Sequence, residues 1–133
     1  MSEAENVEIL KRSYAAFSQG DNSGLLQMYA LDAEWDVPDV TDLPWAGSRQ
    51  GRAEISRFLD TYAQAEEVLD FRQHEFIAQR DRVVVLGTLR ARVKATSRVW
   101  ETRFVHAFTL RDGTIQKIEI YFDTHAAAEA YRT

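Results

Sequence analysis

Val99-Trp100-Glu101-Thr102-Arg103-Phe104-Val105-His106-Ala107-Phe108-Thr109-Leu110, then Arg111-Asp112-Gly113, then Thr114-Ile115-Gln116-Lys117-Ile118-Glu119-Ile120-Tyr121-Phe122, reads as two strands joined by a tight turn. Asp-Gly between alternating apolar residues is a strong hairpin signal. Side chains on a strand alternate faces, so Thr102, Phe104, His106 and Phe108 share one face. Ile118, Ile120 and Phe122 are spaced to share a face of the next strand. One titratable ring therefore stands among phenylalanines. Burial lowers a histidine pKa and a neighbouring carboxylate raises it, and either shift suits a proton carrier. The plainer reading of His106 is a core histidine with one nitrogen bonded.

Upstream, the same period predicts strands near Leu69–Gln79 and Arg82–Lys94, with turns at Arg80-Asp81 and Ala95-Thr96-Ser97. Arg90, Arg92 and Lys94 alternate with Leu89, Ala91 and Val93, which makes a solvated or dimer-facing stripe; the rival reading puts Arg90 at a pocket mouth. The first half reads as helices. Val7, Leu10, Tyr14 and Phe17 form one apolar stripe, with Ser2 and Glu5 spaced as a capping box and Gly20 suited to a left-handed cap. Leu25, Leu26, Met28 and Tyr29 predict a short second helix, and Ile55, Phe58, Leu59 and Tyr62 a third over Arg52–Ala65. Ala33–Val37 is expected to be a short strand leading into a loop, Pro38–Gly51, that holds both prolines. Loops of that length are often lids or binding segments. A short helix, His125–Tyr131, closes the chain behind Thr124.

Helices followed by an antiparallel meander make an α+β pattern over one domain, residues 1–133. A curved sheet wrapped on about three helices encloses a conical, mostly apolar pocket. The chain has no cysteine, so disulfides and thiolate-ligated metals are excluded. A net charge of −5 argues against a nucleic-acid partner, the apolar runs are too short for a membrane span, and the acidic start is unlike a signal peptide. A cytoplasmic protein is the expectation. His74, His106 and His125 lack metal-ligand spacing, and no nucleotide-binding or serine-hydrolase motif is present, so no metal or cofactor is expected.

Several segments resemble the NTF2-like superfamily, closest to its SnoaL-like polyketide cyclase and ketosteroid isomerase-like branch. Tyr14-Ala15-Ala16-Phe17-Ser18-Gln19-Gly20-Asp21 resembles its first-helix ending, and Pro44-Trp45-Ala46-Gly47 with Gly51–Phe58 its lid and third helix. Phe104–Phe108, Asp112–Ile115 and Ile120–Asp123 are similar to its last two strands. The resemblance implies a cone-shaped fold, a deep apolar pocket and a homodimer packed through the sheet. The isomerases' general base falls at Val37, their first-helix tyrosine at Ser13 beside Tyr14, and their protonated aspartate at His106. The triad of limonene epoxide hydrolase-like members falls at Phe104, His106 and Ile120 and is absent. The SnoaL-like cyclases, with a pocket histidine and a carboxylate, are nearer in character.

The expected site therefore has His106 as acid/base, Asp36 or Asp123 sharing or orienting the proton, and Tyr14 bonding a developing oxyanion. Each has a plainer alternative. Asp36 needs a bulge to face inward; Asp123 suits a helix N-terminus; Tyr14 belongs to the core stripe. Phe17, Trp35, Trp45, Phe58, Tyr62, Phe104, Phe108, Ile118, Ile120 and Phe122 are expected to line the pocket. Trp45 could instead seal the core beneath the loop, as Trp35 could, and Trp100 is expected to close one end of the barrel or make a dimer contact. The expected activity is proton transfer next to a carbonyl on a small hydrophobic or ring-shaped molecule, without a cofactor. The rival is a non-catalytic ligand-binding or dimerisation module, favoured by hydrocarbon at Val37 and Ile120. The two separate on whether a carboxylate reaches His106 within about 2.6–3.2 Å.

Overall fold

A computed structural model describes residues 1–133. Its elements run α1 (Glu3–Ser18), α2 (Asn22–Gln27), β1 (Tyr29–Asp36), β2 (Arg49–Gln50), α3 (Arg52–Ala65), β3 (Glu66–Gln79), β4 (Arg82–Val93), β5 (Val99–Arg111), β6 (Thr114–Tyr121) and α4 (Thr124–Tyr131). The fold is α+β, with helices packed on one six-stranded sheet of order β2-β1-β6-β5-β4-β3. All pairings are antiparallel except β1 with β6, which run parallel. No helix is long and apolar enough to cross a membrane.

Local chemistry explains the boundaries. Ser2 Oγ accepts from the Glu5 N–H while Glu5 Oε1 accepts from the Ser2 N–H, both at 3.0 Å, which completes the capping box on α1. Asp112 and Gly113 both take positive φ, 50° and 77°, the conformation that a tight β5–β6 hairpin needs. In β5, Trp100, Thr102, Phe104 and Phe108 are buried while Glu101 and Arg103 are exposed. Directly paired Val83, Val85, Gly87, Leu89 and Ala91 of β4 share that inner face.

The second helix and the long loop differ from the sequence reading. Tyr29 does not belong to the second helix. Gly24 weakens that helix, which ends at Gln27, and Tyr29 instead opens β1 opposite Ile115. Arg52 fixes it there, donating to the Tyr29 carbonyl from Nε (2.9 Å) and Nη2 (2.7 Å). The long loop is also shorter than expected, because Arg49-Gln50 pairs with Glu34-Trp35. Arg90 and Arg92 lie on the outer face, paired with Glu101 at 3.1 Å and Glu67 at 2.7 Å, so Arg90 is not at a pocket mouth.

Candidate functional site

The inner face of the sheet and the helices enclose a cavity whose wall is made by 21 residues, of which 18 are hydrophobic. All ten residues assigned to the pocket from the sequence line it, together with Tyr14 and His106. The volume open to the centres of water-sized molecules is about 120 Å³, several times what a single water needs. The walls are aromatic. Phe58 stacks on Tyr62 at 6.2 Å, Trp35 lies 5.2 Å from Phe58, and Phe104 stacks on His106 at 4.2 Å between ring centroids.

α1 and β5 bring two of the expected residues together. The Tyr14 hydroxyl and His106 Nδ1 are 2.7 Å apart, with the two rings nearly parallel. His106 is accessible only in part, as a portion of the cavity wall, and the rings of Phe71, Phe104 and Phe108 surround it. Burial in that setting pushes its pKa down to about 3, and burial likewise raises that of Tyr14, with nearby Tyr29 adding to the effect. At neutral pH the pair is an uncharged phenol and an uncharged imidazole. When the phenol donates to Nδ1, Nε2 carries the ring hydrogen, and that nitrogen bonds no protein group.

Neither expected aspartate joins this pair. Asp36 is exposed and accepts from Ser48 Oγ at 2.8 Å. The register shift in β1 falls between Tyr29 and Glu34; from Glu34 onward the pairing is regular, and Asp36 points away from the face of Trp35. Asp123 is exposed and caps α4, accepting from the Ala126 N–H at 3.0 Å. Its carboxylate serves the helix and not the cavity.

The carboxylate that does approach the cavity wall is Glu66, 3 % exposed at the start of β3. Oε1 accepts from Tyr62 Oη (2.9 Å) and Trp100 Nε1 (3.0 Å); Oε2 accepts from Tyr131 Oη (2.5 Å) and Trp45 Nε1 (3.2 Å). Three of those donors, Tyr62, Trp45 and Trp100, are wall residues. Sequence reasoning missed Glu66 because the strand was started at Leu69. The available signal was three aromatic N–H and O–H groups at buried positions, each needing an acceptor.

A family model described as the SnoaL-like domain matches residues 10–118. The chain belongs to the SnoaL-like family. An NTF2-like protein of Burkholderia xenovorans LB400 is 38 % identical, with a TM-score of 0.91 and 99 % of each chain covered. TerC, co-crystallised with polyporic acid, is 32 % identical with a TM-score of 0.85, covering 97 % of this chain and 99 % of that one. An uncharacterised protein of Mycobacterium tuberculosis is 26 % identical over 98 % of both chains.

The electrostatics of this SnoaL-like domain give a direct test. Titrated by NMR, His106 is expected to stay neutral down to about pH 3, with Asp36→Asn and Asp123→Asn leaving its curve unmoved. A curve near 6.5, or one displaced by either substitution, contradicts the geometry. Stability carries the same signature. Between pH 6.5 and 3 the unfolded chain binds the proton that the folded one refuses, so acid destabilises the fold in that window. The loss is about 1.4 kcal/mol per pH unit relative to His106→Gln.

Proposed function

We propose that this SnoaL-like domain binds a small, flat, mostly apolar ring-shaped molecule in its conical cavity. The observation that carries this reading is the aromatic wall, interrupted in few places by polar groups, as ligand sites generally are. Co-crystallisation of the 32 % identical TerC with polyporic acid supports it and supplies the first probe. Trp35, Trp45 and Trp100 all line the cavity, so saturable quenching of tryptophan fluorescence by polyporic acid is the expected result. No saturable quenching, with no binding by equilibrium dialysis, ends the reading.

A second reading, cofactor-free isomerase or cyclase-type chemistry next to a carbonyl, is favoured by the Tyr14–His106 pair. A neutral imidazole whose Nε2–H faces a carbonyl can stabilise an enolate oxygen. It is a weak base, however, with a conjugate acid near 3, and no carboxylate reaches it. Binding is therefore the better-supported function. Deuterium exchange at the α-carbon of 1-tetralone separates the two: no acceleration by the protein agrees with binding, and acceleration abolished by His106→Gln agrees with catalysis.

The proposal extends to a homodimer through the sheet. On the outer face, Leu86, Val105 and Tyr121 lie in one row and Ile77, Val84 and Ala107 in the next, with Tyr121 52 % and Ile77 48 % exposed. Isolated apolar groups are ordinary on a surface, but two adjacent rows form a patch. Sedimentation velocity at micromolar concentration is expected to give a dimer, and a monomer would remove this contact. The cytoplasmic location expected from the cysteine-free chain is checked by cell fractionation.

A further inference from the structure

Among the 21 residues of the cavity wall only Val68 is exposed, at 37 %. A second hollow lies against the outer side of the wall at that point. It is a surface groove between the end of α1, α3 and the start of β3, with a volume of about 500 Å³ open to the centres of water-sized molecules. Cavity and groove share four residues, Phe17, Tyr62, Val68 and Phe71, so a single layer of side chains separates them. Within that layer the rings of Phe17 and Phe71 meet edge to face at 5.5 Å. Phe71 in turn lies 5.8 Å from the Tyr14 ring and 6.4 Å from that of His106. A passage opened between the two phenylalanines would lead from the groove to the Tyr14–His106 pair.

These two rings are held differently from the rest of the wall. Tyr62, Trp45 and Trp100 are tied to Glu66 by hydrogen bonds. The loop after β1 is tied down by Ser48 on Asp36 and by Arg132 on Asp42. Phe17 and Phe71 carry no hydrogen-bonding group, so packing alone resists a swing of either ring. Each also sits beside a break in regular structure. Phe17 is in the last turn of α1, just before Gly20 at φ 72°. Phe71 follows the register shift between Val68 and Asp70 of β3. Backbone yields more easily at such points than in the middle of a helix or strand. We propose that Phe17 and Phe71 form a two-ring gate between groove and cavity, and that molecules enter by displacing them. The gate concerns the route and not the occupant, so it stands apart from the ligand reading above.

Xenon tests the route, because it enters apolar cavities without needing a polar partner. Its association rate is measured by xenon exchange NMR on wild type, Phe17→Ala, Phe71→Ala and Val68→Phe. Each alanine variant is expected to raise the rate about two- to ten-fold, the worth of one edge-to-face ring pair. Val68→Phe, which sets a further ring over the passage at an exposed position, is expected to lower it. Ile55→Val, a core change outside the cavity wall, reports general loosening and is expected to leave the rate unchanged. A merely structural role in the wall would change xenon affinity and leave its association rate at the wild-type value. Wild-type rates in the alanine variants, a rise matched by Ile55→Val, or no slowing in Val68→Phe overturns the gate. So does xenon that never enters the wild-type cavity. Failure of polyporic acid to bind, with xenon behaving as expected, ends the ligand reading and leaves the gate in place.

Discussion

Glu66→Gln is expected to lower the melting temperature by about 5–10 °C. The carboxylate offers four acceptor positions and all four are taken, by side chains from α3, the β1–β2 loop, β5 and α4. An amide offers acceptors on one side only. Turned one way, the NH₂ group faces the Tyr62 and Trp100 hydrogens; turned the other, it faces that of Tyr131, while the Trp45 Nε1–H keeps Tyr131 Oη at 2.8 Å. The cheaper orientation leaves one donor unpaired, at about 1–3 kcal/mol. A domain of this size loses roughly 3–5 °C per kcal/mol. Circular dichroism melts decide the matter, and a change within 2 °C or so would mean that the donors find water instead. The consequence reaches the cavity, because Trp45, Tyr62 and Trp100 are fixed in its wall by the same carboxylate.

Gly87→Ala is the second large effect. Gly87 pairs with Phe104 on the inner face, where a Cβ would lie 2.2 Å from the Arg72 carbonyl oxygen and 2.3 Å from Phe104 Cζ. The first neighbour is backbone of the adjoining strand and the second is a ring 4 % exposed, so neither moves cheaply. Overpacking of this kind costs about 3 kcal/mol. The urea midpoint should fall with little change in the slope. Displacing Phe104 also disturbs the ring stacked on it at 4.2 Å, His106. Ligand affinity should therefore drop even at temperatures where the variant is folded. A midpoint equal to wild type would show that the strands part to admit the methyl group.

Periodicity reached as far as each strand's faces and each helix's stripe. Thr102, Phe104 and Phe108 are buried as period two requires, His106 joins them at the cavity, and Tyr14 meets it from the α1 stripe. What it could not reach depends on several segments at once. The acceptor role of Glu66 exists only where four distant donors converge. Asp36 and Asp123 were assigned to the site by chemistry alone. Their actual partners, Ser48 Oγ and the Ala126 N–H, are local groups that satisfy a carboxylate at the surface. Tyr29 was drawn into a helix by its apolar neighbours, whereas tertiary pairing with Ile115 made it a strand residue and placed it in the cavity wall.

The parallel seam between β1 and β6 bears on how the protein is made. β1 leaves the ribosome before β6, its neighbour on that side, which follows only after β2, β3, β4 and β5. Until β6 emerges, β1 has only the two-residue β2 to pair with, and the β3–β4–β5 meander lacks its closing strand. Contacts so distant along the chain slow folding and keep apolar surface in water meanwhile. A message truncated before Thr114 would thus yield a sticky half-sheet and not a smaller working domain. Emergence of β6 is thus the event that lets the two halves of the sheet join.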